Sequence, residues 1–405
     1  MEYLSLANNV YIVDGKAKSC IYDLKSGNLY SISHEAKDLL CAAIARKNPL
    51  ENIASDHADV LHYFIEQKIL AWSDVAKNPD KITDLAKETK TSFVWLEVTR
   101  RCNLSCSFCY ESSSPVCTET MSYEDFVFTA DKLKEINVKR IQFIGGEPLL
   151  LKDTLKKMII YARDFFNFIE VYTNAKLLNQ EWCDFFKKHK IHVALSIHSY
   201  IPEEHDKTVN KVGAHKKVIQ AVKLLKDNQM PHRIACIKTS SCNIGKPDDA
   251  TNFKLSPSLP KVCGKTDLSQ FDFEMFQKKA ITKESKRHPI KKNMVMAQLV
   301  GHKCFLKDLY IKTNLDVYPC VMERRVTYGN LKDLNLEDML KNEVRFYSKD
   351  KIKTCKDCEY RYTCFDCRPD ANGGNIDDKP WYCTYDPYSG EWMDINKKWE
   401  LLQQS

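Results

Sequence analysis

Three cysteines stand close together in one short run of the chain, and their spacing suits an iron–sulfur cluster. Cys102, Cys106 and Cys109 follow the pattern Cys-x3-Cys-x2-Cys. A [4Fe–4S] cluster normally takes four cysteine thiolates. Three thiolates therefore hold three corners of the cluster and leave one iron open. The pattern predicts that something other than a cysteine binds this open iron.

A zinc site is the alternative interpretation of the same three cysteines. Structural zinc takes four Cys or His ligands, often from Cys-x2–4-Cys pairs. Cys117 is available as a fourth ligand, although it follows a Ser-Ser-Ser-Pro loop at residues 112–115. The spacing favours iron–sulfur, but both interpretations stay open on this evidence alone.

Strands and helices alternate from residue 93 onward, and this alternation places the cysteines in the fold. Strands are predicted at 93–98, 140–144, 169–172, 193–197 and 233–237, with a sixth at 271–276. Alternation of this kind predicts a parallel sheet, open or closed into a barrel, with its chemistry at the carboxyl ends of the strands. The cysteine run follows the first strand, and Gly145-Gly146-Glu147-Pro148 follows the second. We therefore expect both motifs on one face.

Together, the two motifs resemble the signature of the radical S-adenosylmethionine (radical SAM) enzymes. Glycines let a backbone approach a ligand closely, and in that family the cofactor's amino and carboxylate groups fill the open iron site. Ala175 stands where the family has Gly, and His198 stands where it usually has Asp. The resemblance makes Cys102, Cys106 and Cys109 the ligands of the catalytic cluster. It implies a set of cofactor-binding residues: Tyr110, Gly145, Gly146, Glu147, Pro148, Thr173, Asn174 and Ser196.

A second group of cysteines resembles the SPASM domain, a C-terminal extension of radical SAM enzymes that holds two auxiliary [4Fe–4S] clusters. The resemblance assigns Cys304, Cys320 and Cys367 to the first auxiliary cluster. Cys263 is the candidate for its missing ligand, and an open iron is the alternative. The second auxiliary cluster would use Cys355, Cys358, Cys364 and Cys383. Leu315 replaces a glycine of the usual pattern, and one cysteine gap is a residue shorter than usual. Two structural zincs remain the alternative for this group.

Residues 1–85 are predicted to form a small module of three strands, at 10–13, 19–22 and 29–32, followed by helices, a short one of them at 50–54. This order resembles the winged-helix peptide-recognition element of ribosomal-peptide modifying enzymes. In such modules an extended leader peptide adds as a strand to an exposed sheet edge. A segment that only packs on the core is the alternative. Residues 92–300 would then form the radical SAM barrel, and 301–405 the SPASM domain.

A narrower resemblance, to the SPASM-domain peptide maturases of grasp-with-spasm systems, spans nearly the whole chain. It is carried by residues 263–265 followed by Phe271, by residues 356–362 and 366–368, and by residues 385–388 with Trp392. It implies an α/β chain built on a partial (β/α)6 barrel, with S-adenosylmethionine and three [4Fe–4S] clusters. A 5′-deoxyadenosyl radical would abstract hydrogen from a ribosomal precursor peptide and so install a crosslink or another oxidative modification. The implied partners are that peptide, an electron donor such as flavodoxin or ferredoxin, and an ATP-grasp ligase.

Two other functions are weighed against this one. A sulfatase-maturing type of radical SAM enzyme is less favoured, because Val321 occupies the position where those enzymes have an Asp that acts as a base. A non-enzymatic zinc or iron–sulfur module is the other alternative. The net charge of +7 comes from 61 basic and 54 acidic residues spread thinly along the chain, so we expect no nucleic-acid partner. No run of about 18 apolar residues and no secretory signal pattern is visible, so we expect a cytoplasmic protein without a membrane span.

Overall fold

The computed structural model describes residues 2–51, 53–87, 90–248, 251–286, 289–371 and 374–404, which include every candidate site residue named above. The N-terminal part contains β1 (Tyr3–Leu6), β2 (Val10–Asp14), β3 (Ser19–Asp23), β4 (Asn28–Ile32), α1 (His34–Ala45), α2 (Ser55–Glu66) and β5 (Leu70–Ser73). Strands β2, β3 and β4 form one antiparallel sheet in that order, and β1 pairs with β5. The three predicted strands are therefore confirmed.

Both helices of this part bury one apolar face against the strands. The shared core includes Ile21, Leu40, Ile44, Leu61 and Phe64. Helix α1 begins after Ser33, whose hydroxyl accepts a hydrogen bond from the Ala36 amide. The expected short helix at 50–54 is wrong, since its described residues form a turn and coil. A five-residue helix gains few hydrogen bonds against the cost of its first turn, so local sequence alone is a weak guide to it.

The N-terminal part packs directly against the C-terminal segment. The Tyr22 hydroxyl donates to the Glu359 carbonyl at 2.8 Å, and the Arg361 guanidinium donates to the Asp14 carbonyl at 2.6 Å. A common apolar core contains Tyr22 and Tyr360. These contacts join residues more than 300 positions apart in the chain.

The central part contains the alternating elements. They are β6 (Phe93–Thr99), α3 (Tyr123–Glu135), β7 (Arg140–Gly145), α4 (Asp153–Ala162), β8 (Phe168–Thr173), α5 (Gln180–Lys188), β9 (His192–Ser196), α6 (Pro202–Thr208), α7 (Ala214–Asp227), β10 (His232–Ile237), β11 (Pro257–Ser258), α8 (Phe273–Lys279) and α9 (Lys292–Val300).

Strands β6 to β11 pair in chain order, and every pair is parallel. The predicted parallel sheet is therefore confirmed, and five of its six strands lie where they were expected. The expected sixth strand at 271–276 is wrong, because that segment runs into helix α8 and the sixth strand lies at Pro257–Ser258. The Asp272 side chain accepts a hydrogen bond from the Met275 amide, which favours a helix start at this point.

The C-terminal part contains α10 (Lys303–Lys307), β12 (Asp308–Ile311), β13 (Asp316–Tyr318), β14 (Gly329–Asn330), α11 (Leu336–Met339), β15 (Tyr385–Asp386), β16 (Glu391–Trp392) and α12 (Ile395–Gln403). Strand β12 pairs with β6, and β13 and β14 continue the same sheet beyond it. Between β14 and β15 the backbone is mostly short helical turns and loops, which carry five of the predicted cysteine ligands. Within the described ranges, no helix is both long enough and apolar enough to cross a membrane.

Candidate active site

The carboxyl ends of the central strands surround a cavity of about 420 Å³. Its wall brings together eight of the predicted site residues: Cys102, Cys106, Cys109, Tyr110, Gly145, Gly146, Asn174 and Ser196. The expectation that the cysteine run and the glycine loop share one face is therefore confirmed. The remaining predicted cofactor-binding residues, Glu147, Pro148 and Thr173, are buried and do not line this cavity.

The three cysteines occupy the loop that joins β6 to α3. The Cys102 sulfur accepts a hydrogen bond from the Leu104 amide at 3.4 Å and one from the Asn174 side chain at 3.7 Å. Burial raises the pKa of Cys102 and of Cys106, each to about 12, and the neighbouring thiolates of this group add to both shifts. Ionised together, these thiolates need a cation between them, which the iron of a cluster would supply.

No fourth cysteine lines the cavity among the described residues. Cys117, the fourth ligand that a zinc site would need, lies instead 3.5 Å from the Ser114 hydroxyl. In the described part of the chain, no three His, Cys, Asp or Glu side chains are arranged to hold a single metal ion. The three soft thiolate donors fit a cluster with one iron left for a different ligand.

The Gly-Gly-Glu-Pro loop is bonded to the start of the cysteine loop. The Gly146 amide donates to the Thr99 carbonyl at 2.7 Å, and the Glu147 amide donates to the Arg101 carbonyl at 2.9 Å. A Cβ atom on Gly145 would lie 2.0 Å from the Thr99 oxygen. The backbone of Gly145 has φ +144°, which also favours glycine. Glycine is thus required for the two loops to meet at the cavity wall.

Glu147 is buried behind this wall and links its segments through hydrogen bonds. Its carboxylate accepts hydrogen bonds from the Leu149 amide at 3.0 Å, the Thr173 hydroxyl at 2.7 Å and the Asn174 amide at 2.7 Å. Burial raises the pKa of Glu147 to about 7, although these three donors act in the opposite direction. The carboxylate therefore positions Asn174, which in turn donates to the Asn103 side chain of the cysteine loop.

Histidines form one side of the cavity. Burial lowers the pKa of His198 to about 3 and that of His205 to about 4, so both are neutral near pH 7. The His198 amide donates to Nδ1 of His205, and the Ile237 amide donates to Nδ1 of His198. The amide and Nδ1 of His198 are therefore both hydrogen-bonded within the wall.

Ser196 and Tyr172 line the same cavity, and the Ser196 hydroxyl donates to the Tyr172 hydroxyl at 3.1 Å.

Several residues of the wall were not predicted from the sequence. They come from the central parallel strands and from the segment after β11, namely Trp95, Gln142, Tyr172, Arg233 and Lys261. Strand residues that point to one face recur with a period of two. That period would have separated inward from outward positions, although it does not identify the cavity.

The C-terminal cysteines form two groups. Cys355, Cys358, Cys364 and Cys383 line one narrow cavity, and they are the four residues that the resemblance assigned to a single cluster. In the second group, Cys304 and Cys320 share an apolar cluster. Desolvation of the Cys367 thiol raises its pKa, and Cys320 is close enough to add to this shift.

Cys263 lies beside the second group rather than within it. Its sulfur is 3.6 Å from the Met322 thioether, and the Met322 amide donates to the Cys320 sulfur at 3.5 Å. Cys263 faces a separate cavity of about 370 Å³ that is also lined by Glu323 and Arg324. Its role as the missing ligand stays a prediction.

Comparisons with known proteins agree with this geometry. Residues 96–241 match the model of the Radical SAM superfamily. The antilisterial bacteriocin subtilosin biosynthesis protein AlbA of Bacillus subtilis (strain 168) is 34% identical over 141 residues, which are 34% of this chain and 31% of that protein. The sporulation killing factor maturation protein SkfB of the same strain is 30% identical over 141 residues, which are 35% of this chain and 34% of that protein.

These matches span only about one third of the length of both curated relatives. Among solved structures, native anSMEcpe with bound AdoMet has a TM-score of 0.52 at 17% identity, and the match covers 77% of this chain and 95% of that chain. This likeness shows a common fold.

Proposed function

From the premise that residues 96–241 form a radical SAM domain, we propose that the protein is a peptide maturase. It removes hydrogen from a ribosomally made precursor peptide and installs a crosslink or another oxidative modification. The proposal includes S-adenosylmethionine, one catalytic and two auxiliary [4Fe–4S] clusters, a flavodoxin- or ferredoxin-type electron donor, and an ATP-grasp ligase in the same pathway. We place it in the cytoplasm and in the grasp-with-spasm group.

One observation carries the catalytic part of this proposal. Three cysteines and the Gly145-Gly146 backbone line the same cavity, and no fourth cysteine lines it among the described residues. The peptide substrate is supported by the relatives AlbA and SkfB, whose names assign them to the making of a bacteriocin and of a killing factor.

The residues of the site then have separate tasks. When bound, the cluster and S-adenosylmethionine supply a 5′-deoxyadenosyl radical. Cys102, Cys106 and Cys109 would hold the cluster, and the Gly145-Gly146 backbone, which lines the same cavity, would let the cofactor approach closely. Glu147 fixes Asn174 against the cysteine loop. Apolar wall residues exclude water from the reaction, which protects a reactive intermediate; they include Trp95, Leu104, Phe108, Ile144, Leu259 and Met322.

The wall also bears on the sulfatase-maturing alternative. Val321 lines the cavity at the position where those enzymes have an Asp that acts as a base. No Asp or Glu lines this cavity among the described residues. A carboxylate base of that type is therefore missing from the wall. This composition favours a different peptide substrate.

Mass spectrometry tests the proposed function directly. We expect the reduced protein, given S-adenosylmethionine and the short precursor peptide encoded beside its gene, to form 5′-deoxyadenosine and to lower the peptide mass by two hydrogens. Cleavage of the cofactor with an unchanged peptide would contradict the maturase function but not the radical SAM chemistry.

The edge of strand β4 is the proposed binding site for the leader segment of this precursor peptide. In the described sheet β4 pairs only with β3, so the backbone groups on its other side are available to an added strand. A groove of about 630 Å³ follows this edge from Gly27 to Ser33. Three lysines line it, Lys18, Lys283 and Lys286, against one acidic residue, Glu391. This balance favours a leader that carries Asp or Glu.

Charge reversal in the groove tests this binding site. We expect Lys283→Glu to weaken binding of a fluorescein-labelled leader peptide about tenfold, because one attractive contact of up to ~1 kcal/mol becomes repulsive. Fluorescence anisotropy measures the affinity, and the difference should shrink at high salt. Lys157→Glu reverses an exposed lysine on α4 outside the groove and should bind as the parent protein does. Equal losses in both variants would reject the groove as the binding site.

A further inference from the structure

Two fully buried cations lie beside the cavity of Cys355, Cys358, Cys364 and Cys383. Lys349 is 2% exposed and Arg368 is 0% exposed. Lys349 lines the cavity itself. Both cations are near enough to Cys355 and Cys364 to interact with them electrostatically. Long charged side chains are almost never fully buried unless they are paired, so this arrangement requires a counter-charge.

The protein supplies only part of that counter-charge. Lys349 and Arg368 share one buried carboxylate, Asp366, which forms an ion pair with each of them. Nη1 of Arg368 donates to the carbonyls of Ile376 and Asp378 at 2.9 and 3.0 Å. Nε of Arg368 is buried and has no hydrogen-bond partner in the described part of the chain. Two positive charges therefore meet one negative charge, and a buried donor is left without an acceptor.

The other residues of the cavity wall do not neutralise this excess positive charge. Arg361 and Lys379 also line it, and no Asp or Glu lines it among the described residues. Arg361 is paired with Asp350 at 2.8 Å. Lys379 donates to the Tyr385 carbonyl at 3.3 Å. The cavity thus combines four thiols with a positive wall, which suits an anionic occupant. A [4Fe–4S] core held by four thiolates is such an anion.

We propose that Lys349, sharing Asp366 with Arg368, raises the reduction potential of the cluster on these four cysteines, so that this site receives the electron left over from the reaction. The proposal rests on the proposed function, because it requires a cluster at the site. A nearby buried positive charge stabilises the reduced cluster more than the oxidised one, since the reduced cluster is more negative by one charge. Net charge and hydrogen bonds to sulfur are among the factors that set such potentials.

The electron count of the modification is consistent with this role. The peptide loses one hydrogen atom to the 5′-deoxyadenosyl radical, which becomes 5′-deoxyadenosine. It then loses one proton to solvent and one electron to the cluster, and the new bond forms. The cluster returns its electron to an external one-electron carrier of the flavodoxin or ferredoxin class. The peptide has then lost two hydrogens in total.

A redox titration monitored by electron paramagnetic resonance tests the assignment on the full-length, cluster-loaded protein. Lys349→Met keeps the length of the side chain and removes its charge, while Arg368 and Asp366 remain paired. We expect at least about tenfold weaker electron affinity at this cluster, which is a shift of about 59 mV to more negative potential. Lys349→Arg keeps the charge and should restore most of the shift.

The opposite charge change gives an independent check. Asp366→Asn removes the shared anion and should move the potential in the positive direction, and damage to packing alone does not produce opposite shifts. An unchanged potential in both Lys349→Met and Asp366→Asn overturns the proposal. If Lys349→Met loses its cluster, the Asp366→Asn shift decides the question. Cys383→Ala separates this result from the proposed function, because an unchanged iron content there means that no cluster is present at the site.

Discussion

Replacing Cys102 with alanine is expected to abolish reductive cleavage of S-adenosylmethionine. The variant loses one of the three thiolates that line the cavity together with the glycine loop. Loss of an outer-shell partner of a metal site already costs 10–100-fold in affinity or activity, so loss of a direct ligand should cost more than about 100-fold. Chromatographic measurement of 5′-deoxyadenosine gives the rate, and iron analysis should show about four fewer iron atoms per chain.

Cys117→Ala is the matched control for this experiment. Cys117 lies in the same loop, next to the Ser114 hydroxyl, and does not line the cavity. We expect its iron content and its cleavage rate to equal those of the parent protein. A Cys102→Ala variant that still cleaves the cofactor would contradict the assignment of the site. Equal losses in the Cys117 variant would point instead to a four-cysteine centre.

Replacing Gly145 with alanine is expected to damage both stability and cofactor binding. The new Cβ would stand 2.0 Å from the Thr99 oxygen, which belongs to the backbone and cannot rotate away. The φ of +144° adds strain for any residue with a side chain. We expect a loss of about 3 kcal/mol in the free energy of unfolding, the upper end of ordinary substitutions. Urea unfolding measures this loss, and equilibrium dialysis measures the affinity for S-adenosylmethionine.

Gly213→Ala separates the clash from the backbone strain. Gly213 precedes helix α7 with φ +76°, and an added Cβ there meets no atom within 4 Å. We expect this variant to lose only about 1 kcal/mol, the cost of the left-handed conformation alone, and to bind the cofactor normally. Similar losses in the two variants would mean that the contact between the glycine loop and the β6 end is not tight.

The local parts of the fold and of the site could be predicted from the sequence. Cysteine spacing, a glycine pair and the strand before each of them are features of short segments. Chain order then places the carboxyl ends of parallel strands on one side of a sheet. Cys102, Gly145, Asn174 and Ser196 lie at consecutive strand ends, and the structure brings them to one cavity. The grouping of the four C-terminal cysteines, which the resemblance supplied, also agrees with their shared cavity.

Other features depend on contacts between distant residues. Strand β1 was missed because its partner β5 lies more than 60 residues later in the chain. The 271–276 segment has a strand-like composition, but its apolar side chains Met275 and Phe276 are buried in a helix beside Trp381. Propensity is a weak guide wherever tertiary packing supplies a competing partner.

The sequence by itself determined which residues could do chemistry: three closely spaced cysteines, a glycine loop after the next strand, and a further set of cysteines. These depend on residue type and local spacing. Only the tertiary structure decided that Glu147 supports the wall instead of lining the cavity, that Val321 and Lys261 do line it, and that Lys349 and Arg368 share Asp366 beside four cysteines. Burial and electrostatic pairing belong to the folded chain, because they arise between residues that meet only when distant segments pack together.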